Sequence, residues 1–471
     1  MGVRGEVKRT QTEEANPMQD SVERIANSIR SSQMLRLFLV GFLALLLHIP
    51  IAMIGRLVSE RKERREAAVV EVSSKWGNAQ VISGPALVVP YTHRWTETST
   101  SGQPITRTED RNAIFLPERL EAQGTVDSEI RRRGIFAVPV YKLGITLEGE
   151  FARPSFSELG IEPAAVAWDR AHLALGISDV RAIQEETSVM WEQVRVPFLP
   201  GTGGFTDAGT GIHAVVGLAE AKQRFKFSFP LSLNGSRGVY LTPFGKNTVV
   251  GLQSNYGSPS FQGNWLPSER TVTSAGFQAR WSIPFLGRNY PQAWRSEAPM
   301  RGAIEGSRFG VELVNPVDHY RMSDRSVKYA GLFILLTFAT IWLIEVLAGV
   351  RVHPIQYLML GAALCLFYLL ELSLSEHLGF PAAYTLASVS VVGMVAAYGV
   401  VVLRRVSRAV VVGAGVALLY AYLYILLMNE DYALLIGSVG LFLILSAIMF
   451  ATRRVAWYAA GSRSPASSGP S

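Results

Sequence analysis

The sequence is poor in cysteine and in charged residues. Its 471 residues include a single cysteine, Cys365, so no disulfide and no thiolate metal site can form within one chain. Only 18% of the residues are charged, whereas 49% are hydrophobic. A soluble protein carries more charge, and part of this chain is therefore expected to lie in lipid.

Common catalytic and binding motifs are also missing. The sequence has no Gly-x-Ser-x-Gly elbow and no His-Glu-x-x-His pair. The glycine-rich stretch Pro200–Gly204 lacks a following lysine–serine pair, which indicates a plain loop rather than a phosphate cradle. The net charge of +7 comes from residues beside apolar runs, without interleaved aromatics, so nucleic-acid binding is not expected. We predict no catalytic residue, no cofactor and no metal.

Long apolar runs predict six transmembrane helices. They cover Leu37–Val58, Ala330–Val350, Ile355–Leu372, Phe380–Leu403, Val410–Met428 and Tyr432–Thr452. The first run is not followed by a small-residue cleavage site, which indicates an uncleaved signal anchor, and Pro50 is expected to kink it.

The charges of the loops predict the orientation in the membrane. One set of loops is basic, with Arg351, His353, Arg404, Arg405, Arg408, Arg453, Arg454 and Arg463, and the alternate set carries Glu371, Glu376, His377, Glu430 and Asp431. By the positive-inside rule, both termini are predicted to lie in the cytoplasm. Membrane lipids are the predicted binding partners of the spans. The basic run Arg61–Arg65 after the first span disagrees, but long domains translocate largely regardless of charge.

Between the first and second spans, the hydrophobic period changes from helical to two. After a charged helix over Ser59–Trp76, alternation at 141–147, 225–233 and 277–285 predicts antiparallel strands with one buried face, and Asn234-Gly235 and Phe244–Asn247 read as turns. One or two β-sandwiches would accommodate these strands. The predicted fold is α+β, with a cytoplasmic tail (1–35), a transmembrane helix (36–58), a β-rich periplasmic domain (59–328), a five-helix transmembrane bundle (329–453) and a cytoplasmic tail (454–471).

Ionisable residues inside or beside the spans are the candidate functional residues. Within the membrane these are Glu345, Glu371 and His48, and next to it Asp318, His319, Arg325, Glu376 and His377. Intramembrane carboxylates are costly and are often functional, but a structural ion pair of Glu345 with Arg351 or His353 is the alternative. Glu345, His48 and Glu371 would gain weight as a site if they faced one cavity.

Several long strings resemble the CreD family of inner-membrane proteins of Gram-negative bacteria. They are Ile82–Leu87, Pro259–Pro267, Gly276–Trp281, Pro316–Tyr320, Ser323–Ala330, Arg351–Leu358 and Leu372–Phe380. The resemblance covers about residues 35–458. It departs at residues 1–34, a longer tail than the family suggests, and at Ala182, where glycine is expected.

This resemblance implies a cell-envelope integrity protein associated with the CreBC two-component response, tolerance of certain colicins and β-lactam susceptibility. It supplies no catalytic residues. The first hypothesis is a non-enzymatic protein whose periplasmic domain binds an envelope protein, lipid or glycan. The alternatives are a transporter or channel that uses the C-terminal bundle with Glu345, and a periplasmic hydrolase that gathers His213 or His319 with a serine and a carboxylate.

Overall fold

The computed structural model describes residues 33–98, 103–205, 210–218, 222–314, 318–348 and 352–453. Most of the two predicted tails, and the loop residues Arg351, Arg454 and Arg463, lie outside the described residues. The chain forms two compact units: residues 64–316 make one, and residues 1–63 with 317–471 make the other. We call them the β domain and the membrane unit.

Six helical segments of the described residues are long and apolar enough to cross a membrane, as the sequence predicts. The helices are α1 (Gln33–Leu46), α2 (His48–Trp76), α3 (Arg301–Gly306), α4 (His319–Ala348), α5 (Pro354–Leu378), α6 (Phe380–Leu403), α7 (Val406–Met428) and α8 (Ala433–Thr452). One candidate span runs from Phe38 through α1 and α2, and the other five lie in α4 to α8.

The first span is interrupted where proline predicts a kink. Pro50 has no N–H to donate to Leu46, and its ring crowds that carbonyl, so the helix breaks at Leu47 between α1 and α2. Helix α2 then runs on to Trp76, which confirms the charged extension after the span.

Helix α4 begins earlier than the predicted second span. Residues Arg321–Tyr329, which the sequence suggests as the tail of the β domain, form the first turns of this helix. These residues are polar, so the sequence does not mark them as part of a membrane helix. Two of their serines, Ser323 and Ser326, are nevertheless buried inside the membrane unit.

The β domain contains two mixed sheets. Its strands are β1 (Gln80–Thr98), β2 (Pro104–Phe115), β3 (Arg119–Arg133), β4 (Phe136–Ala152), β5 (His172–Ile177), β6 (Ser188–Trp191), β7 (Val194–Pro197), β8 (Leu199–Pro200), β9 (Gly211–Val215), β10 (Arg224–Ser236), β11 (Gly238–Leu241), β12 (Asn247–Ser254), β13 (Pro259–Gly263), β14 (Glu269–Thr273), β15 (Gly276–Pro284), β16 (Ala293–Arg295) and β17 (Phe309–Leu313). A nine-stranded sheet has the order β13-β17-β11-β1-β5-β9-β8, with β2 and β16 attached through β1. An eight-stranded sheet has the order β14-β15-β12-β3-β4-β10-β6-β7.

The pairings of the described strands are antiparallel except for two. Strands β1 and β11 pair in parallel, and so do β3 and β12. The predicted alternation is confirmed, since Leu143, Phe229 and Trp281 on three strands are buried and their neighbours along the chain are more exposed. Inward-facing residues of both sheets belong to one hydrophobic cluster.

The predicted turn at Asn234-Gly235 is wrong. Both residues lie inside β10, where they pair with Lys142 and Tyr141 of β4. The chain turns instead at Arg237, which has a φ of 63°. Gly235 is needed for packing, because a Cβ there would lie 2.3 Å from the Tyr141 ring. The glycine that mimics a turn signal therefore makes room for an aromatic side chain.

Candidate functional site

The most deeply buried ionisable group of the membrane unit is Glu371 on α5, which is 0% exposed. Ser323 of α4 donates a hydrogen bond of 2.6 Å to its Oε1. Ser326, one turn further along α4, lies beside the same carboxyl but outside hydrogen-bond geometry. Glu371 Oε2 and Ser326 Oγ are both buried, and neither has a hydrogen-bond partner within the described residues. We call these three residues the Glu371 centre.

Beyond the Glu371 centre, the same end of the bundle carries a layer of charged residues. Glu376 accepts a hydrogen bond of 2.9 Å from the Tyr320 hydroxyl and lies 3.8 Å from the Arg61 guanidinium. Arg61 belongs to the basic run that conflicts with the positive-inside rule, and this carboxylate offsets its charge. Glu430 lies 3.3 Å from Arg321.

Arg325 of α4 caps the end of α7. Its guanidinium donates hydrogen bonds of 3.1 Å to the carbonyl oxygens of Leu426 and Leu427, and it lies 3.9 Å from Glu430. The last carbonyls of a helix have no partner within that helix and carry the negative end of its dipole, so a cation stabilises them. The Arg325 side chain is only 16% exposed.

The structure does not bring Glu345, His48 and Glu371 together. Glu345 accepts a hydrogen bond of 3.0 Å from Tyr357 near the start of α5, and Tyr357 lies about 20 Å along that helix from Glu371, at about 1.5 Å per residue. His48 bonds the carbonyl oxygen of Ala44 in the preceding turn at 3.0 Å. The three residues therefore occupy separate levels of the bundle.

The remaining juxtamembrane candidates have simple contacts. Asp318 Oδ1 accepts from the backbone N–H of Arg321 at 3.4 Å, in the first turn of α4, and the His319 ring lies tilted against Tyr320 with ring centroids 4.3 Å apart. Asp318 and His319 lie at the start of α4. His377 is exposed in the last turn of α5.

In the β domain, two histidines hold the glycine-rich loop. His172 contacts the carbonyl oxygens of Arg170 and Gly203 at 3.1 and 3.0 Å, and His213 contacts that of Gly201 at 2.8 Å. Burial lowers the pKa of His172. The loop is a packed structural element, and Gly203 must be glycine, because a Cβ there would lie 2.2 Å from the His172 ring. In the described residues, no group of three or more His, Cys, Asp or Glu is arranged to hold a metal ion.

A polar groove crosses the outer face of β3, β12, β15 and β14. Strand pairing aligns its side chains in two rows, which are Gln123, Gly251, Arg280 and Glu269, and then Thr125, Gln253, Gln278 and Thr271. Gly251 leaves room for the Gln123 side-chain amide, since a Cβ there would lie 2.1 Å from Gln123 Oε1. The cavity over these rows measures about 460 Å³.

The polar groove continues past its second row. An adjoining cavity of about 630 Å³ shares Thr125 and Gln253 and extends to Asp127 and Asn255. Gln253 donates to Thr125 Oγ1 at 3.0 Å, and Asn255 to Asp127 Oδ1 at 3.0 Å, which fixes part of the lining. The Gln123 and Gln278 side chains are exposed. Amides, hydroxyls and a few charges line the surface.

Sequence reasoning missed the partners of its own candidates. Ser323 and Ser326 stand three apart, a spacing that puts both on one helix face, but that signal needs a helix that starts at His319. The polar groove was missed because its rows come from strands distant in sequence.

The fold defines a class: a multi-pass membrane protein with one N-terminal and five C-terminal apolar helical spans, and with a large β-rich domain between them in the sequence. The family described as inner membrane protein CreD matches residues 32–458 of the chain. The inner membrane protein CreD of Escherichia coli (strain K12) is 32% identical over 418 residues, which cover 88% of this chain and 91% of that protein. The chain therefore belongs to the CreD family of inner membrane proteins.

Proposed function

We propose that this CreD-family protein supports cell-envelope integrity as a non-enzymatic binding protein, with the β domain in the periplasm and both termini in the cytoplasm. Loop charge supports the orientation. Arg404 and Arg405 lie between α6 and α7, and Arg408 lies in the first turn of α7, whereas Glu376 and Glu430 mark the other end of the bundle. The rule that cytoplasmic loops carry the excess of arginine then places Glu376 and Glu430 outside.

The observation that carries the binding role is the polar groove. Its lining offers amide and hydroxyl groups of both hydrogen-bonding characters, and the side-chain amides of Gln123 and Gln278 are exposed. An apolar protein segment would leave these groups unpaired, which is costly, whereas the hydroxyls of a glycan would pair with them. We therefore propose an envelope glycan as the partner, with a protein or lipid as the competing outcomes of the test.

The histidines support a role without catalysis. Both ring nitrogens of His172 face backbone carbonyl oxygens, those of Arg170 and Gly203, which is a packing role. A general base must instead point a free nitrogen at a substrate or nucleophile.

The test combines complementation and binding. Full-length protein with Gln123→Ala and Gln278→Ala is expressed in a strain that lacks its own copy, and sensitivity to envelope stress is scored. Purified full-length protein is also titrated with soluble peptidoglycan glycan chains. Each lost hydrogen bond contributes about 1 kcal/mol, so we expect roughly tenfold to thirtyfold weaker glycan binding and a loss of tolerance.

Gln262→Ala is the matched control, since Gln262 is an exposed glutamine on the other sheet. Full tolerance and unchanged glycan binding in the double variant would overturn the groove as the binding site. Loss of tolerance together with unchanged glycan binding would point to a protein or lipid partner instead.

The orientation has its own assay, because the chain's one cysteine is buried. In cells with a permeabilised outer membrane, a membrane-impermeant maleimide should label Thr271→Cys before lysis and Arg404→Cys only after lysis. The reverse pattern would contradict the proposed topology.

A further inference from the structure

The Glu371 centre contains a buried carboxyl group that has no cationic partner among the described residues. No lysine, arginine or histidine of the described residues forms an ion pair with Glu371, and Ser323 supplies one hydrogen bond. The nearest arginines are used elsewhere: Arg325 binds the carbonyls at the end of α7, and Arg61 lies at Glu376. An unpaired carboxylate inside a membrane protein costs several kcal/mol, so an ionised Glu371 requires a positive charge that the described part of the chain does not provide.

Two orphaned oxygens mark where that charge belongs. Glu371 Oε2 and Ser326 Oγ are both buried, neither has a hydrogen-bond partner in the described part of the chain, and Ser326 of α4 lies beside the Glu371 carboxyl of α5. Ser326 is 0% exposed. A proton on Oε2 would be donated to Ser326 Oγ while Ser323 still donates to Oε1, and a sodium ion would be coordinated by the same two oxygens. Either ligand satisfies both orphans at once.

The other ionisable side chains near the carboxyl do not supply the charge. Tyr368 precedes Glu371 by one turn of α5, and Tyr384 faces it from α6. The Tyr384 hydroxyl is already occupied, because it donates to the carbonyl oxygen of Tyr420 of α7 at 2.7 Å. On α4, Ser323 and Ser326 are the groups that face the carboxyl, and Tyr320 is turned to Glu376.

We propose that Glu371, Ser323 and Ser326 form a binding site for one monovalent cation, a proton or Na⁺, which exchanges through the end of the bundle that carries Glu376 and Glu430. Glu376 lies about 7–8 Å further along α5, and its side chain is 8% exposed, whereas that of Glu430 is 53% exposed. The three carboxylates thus form a graded series from the surface to the buried site. This inference does not rest on the glycan-binding role of the β domain.

The experiment uses full-length protein in lipid nanodiscs and infrared difference spectroscopy, which separates protonated from ionised carboxyl groups. The protein is titrated with acid in choline chloride and again in NaCl, and thermal unfolding is recorded in both salts. The variants are Glu371→Gln, which mimics the protonated side chain in shape, and Ser326→Ala. Glu345→Gln is the matched control for an intramembrane carboxyl elsewhere.

If the ligand is a proton, a protonated-carboxyl band is present in both salts, is lost in Glu371→Gln and is retained in Glu345→Gln. If the ligand is Na⁺, NaCl converts that group to the ionised form and raises the Tm, and choline chloride does not. Ser326→Ala should then weaken the Na⁺ response about tenfold or more, the effect of removing one hydrogen-bonding partner of a charged group.

A Glu371 carboxylate that stays ionised through the titration in both salts, with no Na⁺ effect on Tm, would overturn the proposal. If Glu371→Gln fails to fold, Ser326→Ala still decides the matter. Under the proposal, this change shifts the protonated band or the Na⁺ midpoint, and an unchanged spectrum in both salts refutes it.

Discussion

Removal of Arg325 should destabilise the membrane unit far more than removal of its neighbour Arg321. Both arginines lie on α4 near Glu430, but only Arg325 reaches the end of α7, where it donates to the carbonyls of Leu426 and Leu427 at 3.1 Å. The Arg325 side chain is 16% exposed, against 56% for Arg321. A comparison of Arg325 with Arg321 therefore distinguishes the effect of a buried helix cap from that of a surface ion pair.

The magnitudes follow from these contacts. A hydrogen bond from a charged donor contributes about 1.5–3 kcal/mol, and the favourable position at the negative end of a helix adds about 0.5–1 kcal/mol. Because the bonds are not fully additive, we expect Arg325→Ala to lower the free energy of unfolding by about 3–5 kcal/mol. An exposed ion pair contributes about 0.2–1 kcal/mol, so Arg321→Ala should cost below about 1 kcal/mol.

The assay is unfolding of full-length protein by SDS titration in mixed micelles, followed by the helical circular dichroism signal. Arg325→Lys should fall between wild type and Arg325→Ala, because a lysine keeps the charge but cannot bond two carbonyls as a planar fork. Equal losses for Arg321→Ala and Arg325→Ala would refute the reasoning, since they would show that charge near Glu430, and not the capping of α7, is what matters.

Two further predictions concern the β domain. Gly235→Ala should lower the stability of the β domain to chemical denaturation by about 2–3 kcal/mol, because the new Cβ would lie 2.3 Å from the Tyr141 ring. Gly144→Ala is the control and should be nearly neutral, because nothing lies within 4 Å of a Cβ there. Equal effects of the two changes would mean that strand flexibility dominates. Burial lowers the pKa of His172 in the folded protein below its unfolded pKa of about 6.5. The contribution of neutral His172 to stability is therefore complete above the unfolded pKa and is lost as the pH falls through the folded pKa. The slope of this loss is up to about 1.4 kcal/mol per pH unit. Thermal unfolding between about pH 7 and 5 should show this loss, and a His172→Gln protein with the same pH dependence would contradict it.

The membrane helices and the strands were predictable because each follows from a local pattern. Runs of about twenty apolar residues mark the spans, and the period of two along 141–147 marks a strand whose inner residues the structure buries. The wrong predictions also came from local patterns. Asn234-Gly235 reads as a turn, but the side chain that requires this glycine, Tyr141, lies on another strand. Likewise, the parallel pairs β1–β11 and β3–β12 join segments more than a hundred residues apart, beyond the reach of any period.

The candidate site was predicted only in part, for a similar reason. An intramembrane carboxylate such as Glu371 is visible in the sequence because it is costly in lipid. Its partners Ser323 and Ser326 are common residues, and their role follows only from the packing of α4 on α5. The sequence analysis linked the transporter hypothesis to Glu345, whereas the structure pairs Glu345 with Tyr357, and among the described residues Glu371 Oε2 has no hydrogen-bond partner.

An apolar layer separates the carboxyl groups of Glu345 and Glu371, and it bears on the route by which a cation at Glu371 would exchange. Gly361 lies on α5 between Tyr357 and Glu371, and a Cβ there would lie 2.1 Å from Leu47 Cδ1 and 2.9 Å from Phe338 Cζ, so leucine and phenylalanine fill this level tightly. A cation that crossed it would lose its polar contacts, at a cost of several kcal/mol. We therefore expect the Glu371 centre to exchange with the Glu376 end alone and to report the conditions on one side of the membrane. In stopped-flow pH or Na⁺ jumps, Glu376→Gln should slow the exchange at Glu371, while Glu345→Gln leaves its rate unchanged. Slower exchange in Glu345→Gln would show instead that ions pass the apolar layer, and the bundle would then be a conduction path.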